Sequence, residues 1–237
     1  MQGQSLVVYT ISHAGNDSYI QQWVFNDDGS IQPMLGVTGR LDANQISNSS
    51  TGRPLGVGNA RYATSRFHTA YWRLNFDLGG SFNDLVEQFD YSGTGNIRTQ
   101  TVSPLFNESS RTVSPVSQRF WRVKDTLMTN ANGRNISYQI VLQQAAVHRG
   151  SEAFTRSDVI VTTNKVCEQF VSRNPNSGGC GADVTEFANG ETVSDVVVWV
   201  GNTWHQVTRD EDEPYVPVHW QGMSLLPRDL MATSPLQ

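Results

Sequence analysis

Short runs of β-branched and aromatic residues, broken repeatedly by Gly, Asn, Asp or Pro, dominate this chain. The clearest lie at 6–11, 19–25, 31–37, 70–78, 136–142, 158–162 and 196–200, and each predicts a β-strand. Between the second and third, Asn26-Asp27-Asp28-Gly29-Ser30 carries the Asp-Gly signal of a tight turn, so these two strands should form a hairpin. Residues 82–89 alone have the spacing of a short helix, with Phe82, Leu85 and Phe89 at intervals of three and four. The Ser-, Thr- and Asn-rich stretches 44–54 and 99–115 predict surface loops, and no internal repeat points to a solenoid or propeller. The implied architecture is all-β: one large antiparallel β-sandwich domain over residues 1–237.

Composition narrows the partners. Charged residues make up 16% and apolar residues 38% of the chain, which places it among folded rather than disordered sequences. A net charge of −5, with arginines scattered singly among acids, argues against nucleic acid or an anionic membrane as partner. No run approaches the ~20 apolar residues of a membrane helix, and Met1-Gln2-Gly3-Gln4 lacks the pattern of a signal peptide.

Cys167 and Cys180 bracket a Gly- and Asn-rich stretch that can fold back and let them pair. Such a bridge would contribute about 3 kcal/mol through the entropy of the unfolded chain. The alternative is a pair of buried free thiols. Asn16, Asn48, Asn107 and Asn135 each head a glycosylation sequon. Together, these features favour a secretory history.

Three blocks carry a family resemblance. The first runs Val7-Val8-Tyr9-Thr10-Ile11, Gly15-Asn16-Asp17-Ser18-Tyr19, the Asp-Gly hairpin, then Val37-Thr38-Gly39. The second is Arg66-Phe67-His68-Thr69-Ala70-Tyr71-Trp72-Arg73-Leu74-Asn75-Phe76-Asp77. The third runs from Ser194-Asp195-Val196-Val197-Val198-Trp199 through His205-Gln206 to Arg209-Asp210-Glu211-Asp212-Glu213-Pro214 and Gly222-Met223-Ser224-Leu225-Leu226-Pro227. In this order they resemble the C-terminal half of the catalytic β-sandwich of copper amine oxidases, over about residues 5–230. What that family carries ahead of this region, including its catalytic aspartate, has no counterpart here.

The resemblance implies a copper site with three histidines and a tyrosine oxidised to the quinone cofactor. Here Asp17 stands at the tyrosine position, Arg66 at the first histidine, His68 at the second and Gln206 at the third, with His205 one residue before it. A carboxylate has no ring to oxygenate, so Asp17 cannot yield the quinone (topaquinone). Tyr19 lies two residues on, roughly 6–7 Å along a strand. Three imidazoles suit Cu(II), whereas a guanidinium has no lone pair to offer. Asp17 and Arg66 are therefore expected to form an ion pair beside His68. The competing arrangement is a two-His, one-carboxylate metal site from Asp17, His68 and His205, suited to a metal such as Fe(II). His13, His148 and His219 lack metal-ligand spacing and are expected at the surface or satisfied in the core.

The family's peripheral calcium maps onto Asn75, the Phe76 carbonyl, Asp77, Asp195 and the Val196 carbonyl. The acidic run 210–213 is expected to be a solvated loop. Three functions follow: a ligand-binding or structural relic, an enzyme using Asp17, Arg66 and His68 in acid–base chemistry, or a residual copper-dependent amine oxidase. A half-sandwich exposes edges, so a homodimer or a companion chain supplying strands is expected, with a small-molecule ligand in the old pocket.

Overall fold

The computed structural model describes residues 3–41, 52–143, 150–174 and 180–235. Its strands, in chain order, are β1 (Ser5–Ala14), β2 (Asp17–Asn26), β3 (Ile31–Arg40), β4 (Arg53–Leu55), β5 (Arg61–Ala63), β6 (Arg66–Asn75) and β7 (Asp84–Ser92). They continue as β8 (Thr99–Leu105), β9 (Ser109–Arg111), β10 (Phe120–Thr129), β11 (Asn135–Gln143), β12 (Val159–Thr163), β13 (Val196–Gln206) and β14 (Tyr215–Arg228). One short helix, α1, spans Val184–Phe187.

An eight-stranded sheet runs β1-β2-β3-β14-β11-β10-β7-β8 and packs on a four-stranded sheet, β6-β13-β12-β9. Every pairing is antiparallel. The core between the sheets follows from strand alternation: Trp121, Val123, Ile140, Met223 and Leu225 from the large sheet meet Leu74, Val159, Val161, Val198 and Val200 from the small one. The intervening residues of β13, Val197 and Trp199, project from the opposite face, where Val184 and Phe187 of α1 cover them. This second apolar layer explains why β13 is an unbroken hydrophobic run rather than an alternating one.

All seven stretches predicted as strands are strands, and the Asp-Gly hairpin forms, with Gly29 at φ 80° and its N–H donating to the Asn26 carbonyl. Two expectations are corrected. The predicted helix at 82–89 is β7, held between β10 and β8, with Phe82 left exposed in the preceding loop. Its inward positions include Asp84 and Gln88, and these polar residues disguised the two-residue period. The predicted loop at 99–115 contains β8, an edge strand paired to β7, and β9, paired to β12. Of the loop expected at 44–54, residues 44–51 lie outside the described residues, and Arg53 begins β4. Cys167 and Cys180 are disulfide-bonded.

Candidate functional site

The site residues gather at one end of the sandwich, where β2 and β14 of the large sheet face β6 and β13 of the small one. Arg66 and His68 share the inward face of β6 with Leu74. Trp204 and Gln206 share the inward face of β13 with Val198 and Val200. Antiparallel register sets His68 opposite Trp204 and Arg66 opposite Gln206. From the other sheet, Asp17 begins β2, directly opposite Gly39 of β3. A Cβ at position 39 would come within 2.3 Å of the Asn16 carbonyl, so the glycine is what lets the strand start here.

Arg66 Nη1 donates to Asp17 Oδ1 at 2.5 Å, with both side chains about one-fifth exposed. The pair ties the two sheets together where the resemblance puts metal and tyrosine. Half-buried pairs of this kind lie between the small worth of surface pairs and the large cost of breaking buried ones. Asp17→Asn is therefore expected to cost about 1–2 kcal/mol, seen as a lower urea midpoint; an unchanged midpoint would show that the contact carries no stability.

His68 stacks on Trp204, with ring centroids 5.3 Å apart, and Tyr19 meets its edge at 6.3 Å. Burial pushes the His68 imidazole below its ordinary pKa; Asp17 opposes this, Arg66 reinforces it, and Gln206 opposes it weakly. The Gln206 amide is thus close to the ring, yet the geometry of neither Nε2 completes a hydrogen bond. Burial likewise raises the Tyr19 phenol, an effect that Asp17 adds to and Arg66 counters.

His205 does not join this group. It stacks on Phe67 at 4.0 Å, on the opposite face of the small sheet from His68 and Gln206. The proposed Asp17, His68 and His205 metal triad is therefore excluded by strand parity. Among the described residues, no three His, Cys, Asp or Glu side chains are gathered to hold a metal ion. Copper does not fit the donors present: of the three ligand positions only His68 offers an imidazole, Gln206 offers a weak amide, and Arg66 brings a positive charge.

His219 departs from expectation. Its ring also stacks on Trp204, at 3.9 Å, and its buried Nε2 has no hydrogen-bond partner among the described residues. Burial lowers its pKa, with His68 adding to the effect. Nothing in the sequence flagged it, because its contact comes from the other sheet. His13 is exposed and bonded to Ser18, while His148 lies outside the described residues. The acidic run is also not uniformly solvated: Asp212 is 1% exposed and caps its own turn through the Arg209 backbone N–H.

At the opposite end of the sandwich, the residues matched to calcium are only partly arranged for it. Asn75 and Asp77 are exposed, Asp195 Oδ1 is buried without a partner, and the Val196 carbonyl already accepts from the Phe76 N–H at 3.1 Å. Nearby, Asp84 is pushed up to about 6, chiefly by burial, with the Leu78 N–H opposing and Asp125, Asp77 and Asp195 adding. A carboxyl whose folded pKa is raised adds stability below its unfolded value and loses it as pH climbs through the folded one. The Asp84 contribution should thus fall between about pH 4 and 6, against the opposite trend from His68 and His219, and Asp84→Asn should make stability fall less, or rise more, across that interval; a urea profile of the variant parallel to that of the natural chain would assign the effect elsewhere.

A family profile described as the copper amine oxidase enzyme domain matches residues 1–237. Relatives include a primary amine oxidase of Klebsiella aerogenes, 24% identical over 98% of this chain and 35% of its own length. Primary amine oxidase 1 of Arabidopsis thaliana is 25% identical over 98% of this chain and 40% of its own. The fold matches the crystal structure of a copper-containing benzylamine oxidase from Hansenula polymorpha with a TM-score of 0.82 at 19% identity, over 98% of this chain and 40% of that one. The chain therefore spans well under half the length of these relatives. Over the part it does span, the profile match along residues 1–237 makes this chain a member of the copper amine oxidase family, enzyme domain, and its sandwich has the fold of the solved structure.

Proposed function

We propose that this chain has lost quinone-dependent amine oxidation and serves as a ligand-binding or structural domain. The observation that carries the reading is the Arg66–Asp17 pair, which sets a cation and a carboxylate where the family's chemistry needs a metal and a phenol. A guanidinium has no lone pair to give a metal ion.

The chemistry is tested by incubating the purified protein with Cu(II) and air, then adding phenylhydrazine. No coloured adduct is expected. A stoichiometric chromophore would overturn the reading and point to a tyrosine elsewhere, with Tyr19 the nearest.

A second reading is supported by His68. Its Nε2 is buried and unpartnered, its pKa is lowered toward the neutral base, and Asp17 and Arg66 lie beside it as carboxylate and anion-holding group. Loss of a measured hydrolytic or isomerase activity in His68→Gln would favour repurposed catalysis.

The partner in this proposal is a second copy or a companion chain. All ten residues of β1 are exposed, including Leu6, Val7, Val8, Tyr9 and Ile11, and among the described residues one edge of the strand is unpaired. Such an edge is normally covered.

A further inference from the structure

The apolar core does not fill the sandwich to its end. Beyond Val200 of β13 and Met223 of β14, the next inward positions are Asn202, Trp204 and Gln206 on one strand and Gln221 and His219 on the other. The two strands meet across this tier: Asn202 Nδ2 donates to the Gly222 carbonyl at 2.6 Å, and Trp204 stacks on His219 at 3.9 Å. Asn202 and Gln221 are each 1% exposed, and Gln206 is 6% exposed.

Within this tier, six buried polar atoms lack a hydrogen-bond partner among the described residues: Asn202 Oδ1, Gln206 Nε2, Gln221 Oε1 and Nε2, His68 Nε2 and His219 Nε2. Leaving one such atom dry costs about 1–3 kcal/mol, so a cluster of them implies an occupant. An open cleft of about 290 Å³ is lined by Trp204, Gln206 and His219, the outer members of the tier, with Asn202 and Gln221 one step further in along β13 and β14. That volume sits near the lower bound of small-molecule pockets.

The lining also defines the chemistry of the occupant. It presents bare acceptors and bare donors together. The charged side chains that flank the tier and line its cleft are paired, Arg66 with Asp17 and Arg209 with Asp212. A cation or an anion entering here would lose its hydration without gaining a counter-charge. Gln221 offers an unpaired C=O and an unpaired NH₂ on one planar group, the complement of another primary carboxamide.

We propose that the tier formed by Asn202, Gln206, Gln221 and the two flanking imidazoles is a binding site for a small uncharged amide. The amide's NH₂ donates to Gln221 Oε1 or Asn202 Oδ1, and its carbonyl accepts from Gln221 Nε2 or Gln206 Nε2. The assignment rests on the metal-free reading above in one respect, that His68 and Gln206 are not engaged by copper.

Three isosteric probes test it on the whole chain: acetamide, acetate and acetamidinium. Acetamide is expected to raise the thermal midpoint saturably, and the charged probes to bind at least about tenfold more weakly. Gln221→Leu should weaken acetamide about tenfold, while its own midpoint without probe holds or rises, because two unpaired atoms have gone. Asn202 is a poor test position, since its amide also bridges the sheets through Gln143 and Gly222. If Gln221→Leu does not fold, Gln206→Leu gives the same readout. The proposal is overturned by no saturable acetamide response, the signature of a tier filled by water alone. Equal binding of the charged probes, or acetamide binding that survives both variants, would also overturn it. A copper signal in electron paramagnetic resonance of the same sample is read separately and would sink the metal-free reading instead.

Discussion

Replacing Arg66 and Gln206 together by histidine is expected to complete a three-imidazole copper site around His68. Positions 66, 68 and 206 all lie on the inner face of the small sheet, with 66 and 206 in direct register, so three imidazoles would converge on one point. Loss of even an outer-shell partner of a metal ligand typically costs about 10–100-fold in affinity. Supplying two missing ligands and removing a guanidinium should therefore raise Cu(II) affinity by at least about 100-fold, measured by competition against a chelator. Arg66→His or Gln206→His alone should achieve only part of this. If the double variant binds copper no better than the natural chain, the backbone has moved away from the family's geometry, and the match would be one of fold without site.

The second large effect is in the core. Trp121 is fully buried in the main cluster and donates its indole N–H to Gln88 Oε1 at 3.3 Å. Trp121→Ala removes the largest fully buried side chain of the inner layer and leaves Oε1 of Gln88, a residue 8% exposed, without its donor, while Gln88 Nε2 keeps its bond to Asp90. A loss of about 3–5 kcal/mol is expected from urea unfolding. Trp220, 40% exposed, supplies the control: Trp220→Ala should cost about 1 kcal/mol or less. Comparable losses at the two positions would mean that the sheets do not pack as described.

These contrasts mark where sequence patterns were informative. Strands such as β1, β2 and β11 announce themselves because β-branched and aromatic residues outweigh everything else in them. β14 does not. Its inward positions turn from Leu225 and Met223 to Gln221 and His219, so alternation between polar and apolar is lost where the strand enters the polar tier. β7 hides for the same reason, with Asp84 inside.

The site was legible to the extent that motifs carry it. Asp17, Arg66, His68 and Gln206 were all found from the blocks, and the structure brings them to one end of the sandwich. His205 faces away from the core, as strand parity indicates: it is an odd number of residues from Val198 and Val200. His219 and Gln221 were beyond reach, because their neighbours on β13 come from a different sheet and no spacing along the chain reports that meeting.

The strand order has a consequence for how the chain folds. β14, the last of the described strands in chain order, lies between β3 and β11 in the middle of the large sheet. Without it the β1–β3 meander and the β7–β11 group cannot be joined, and both present open edges. Completion of this sheet must therefore wait for β14 and is dominated by slow, long-range pairing.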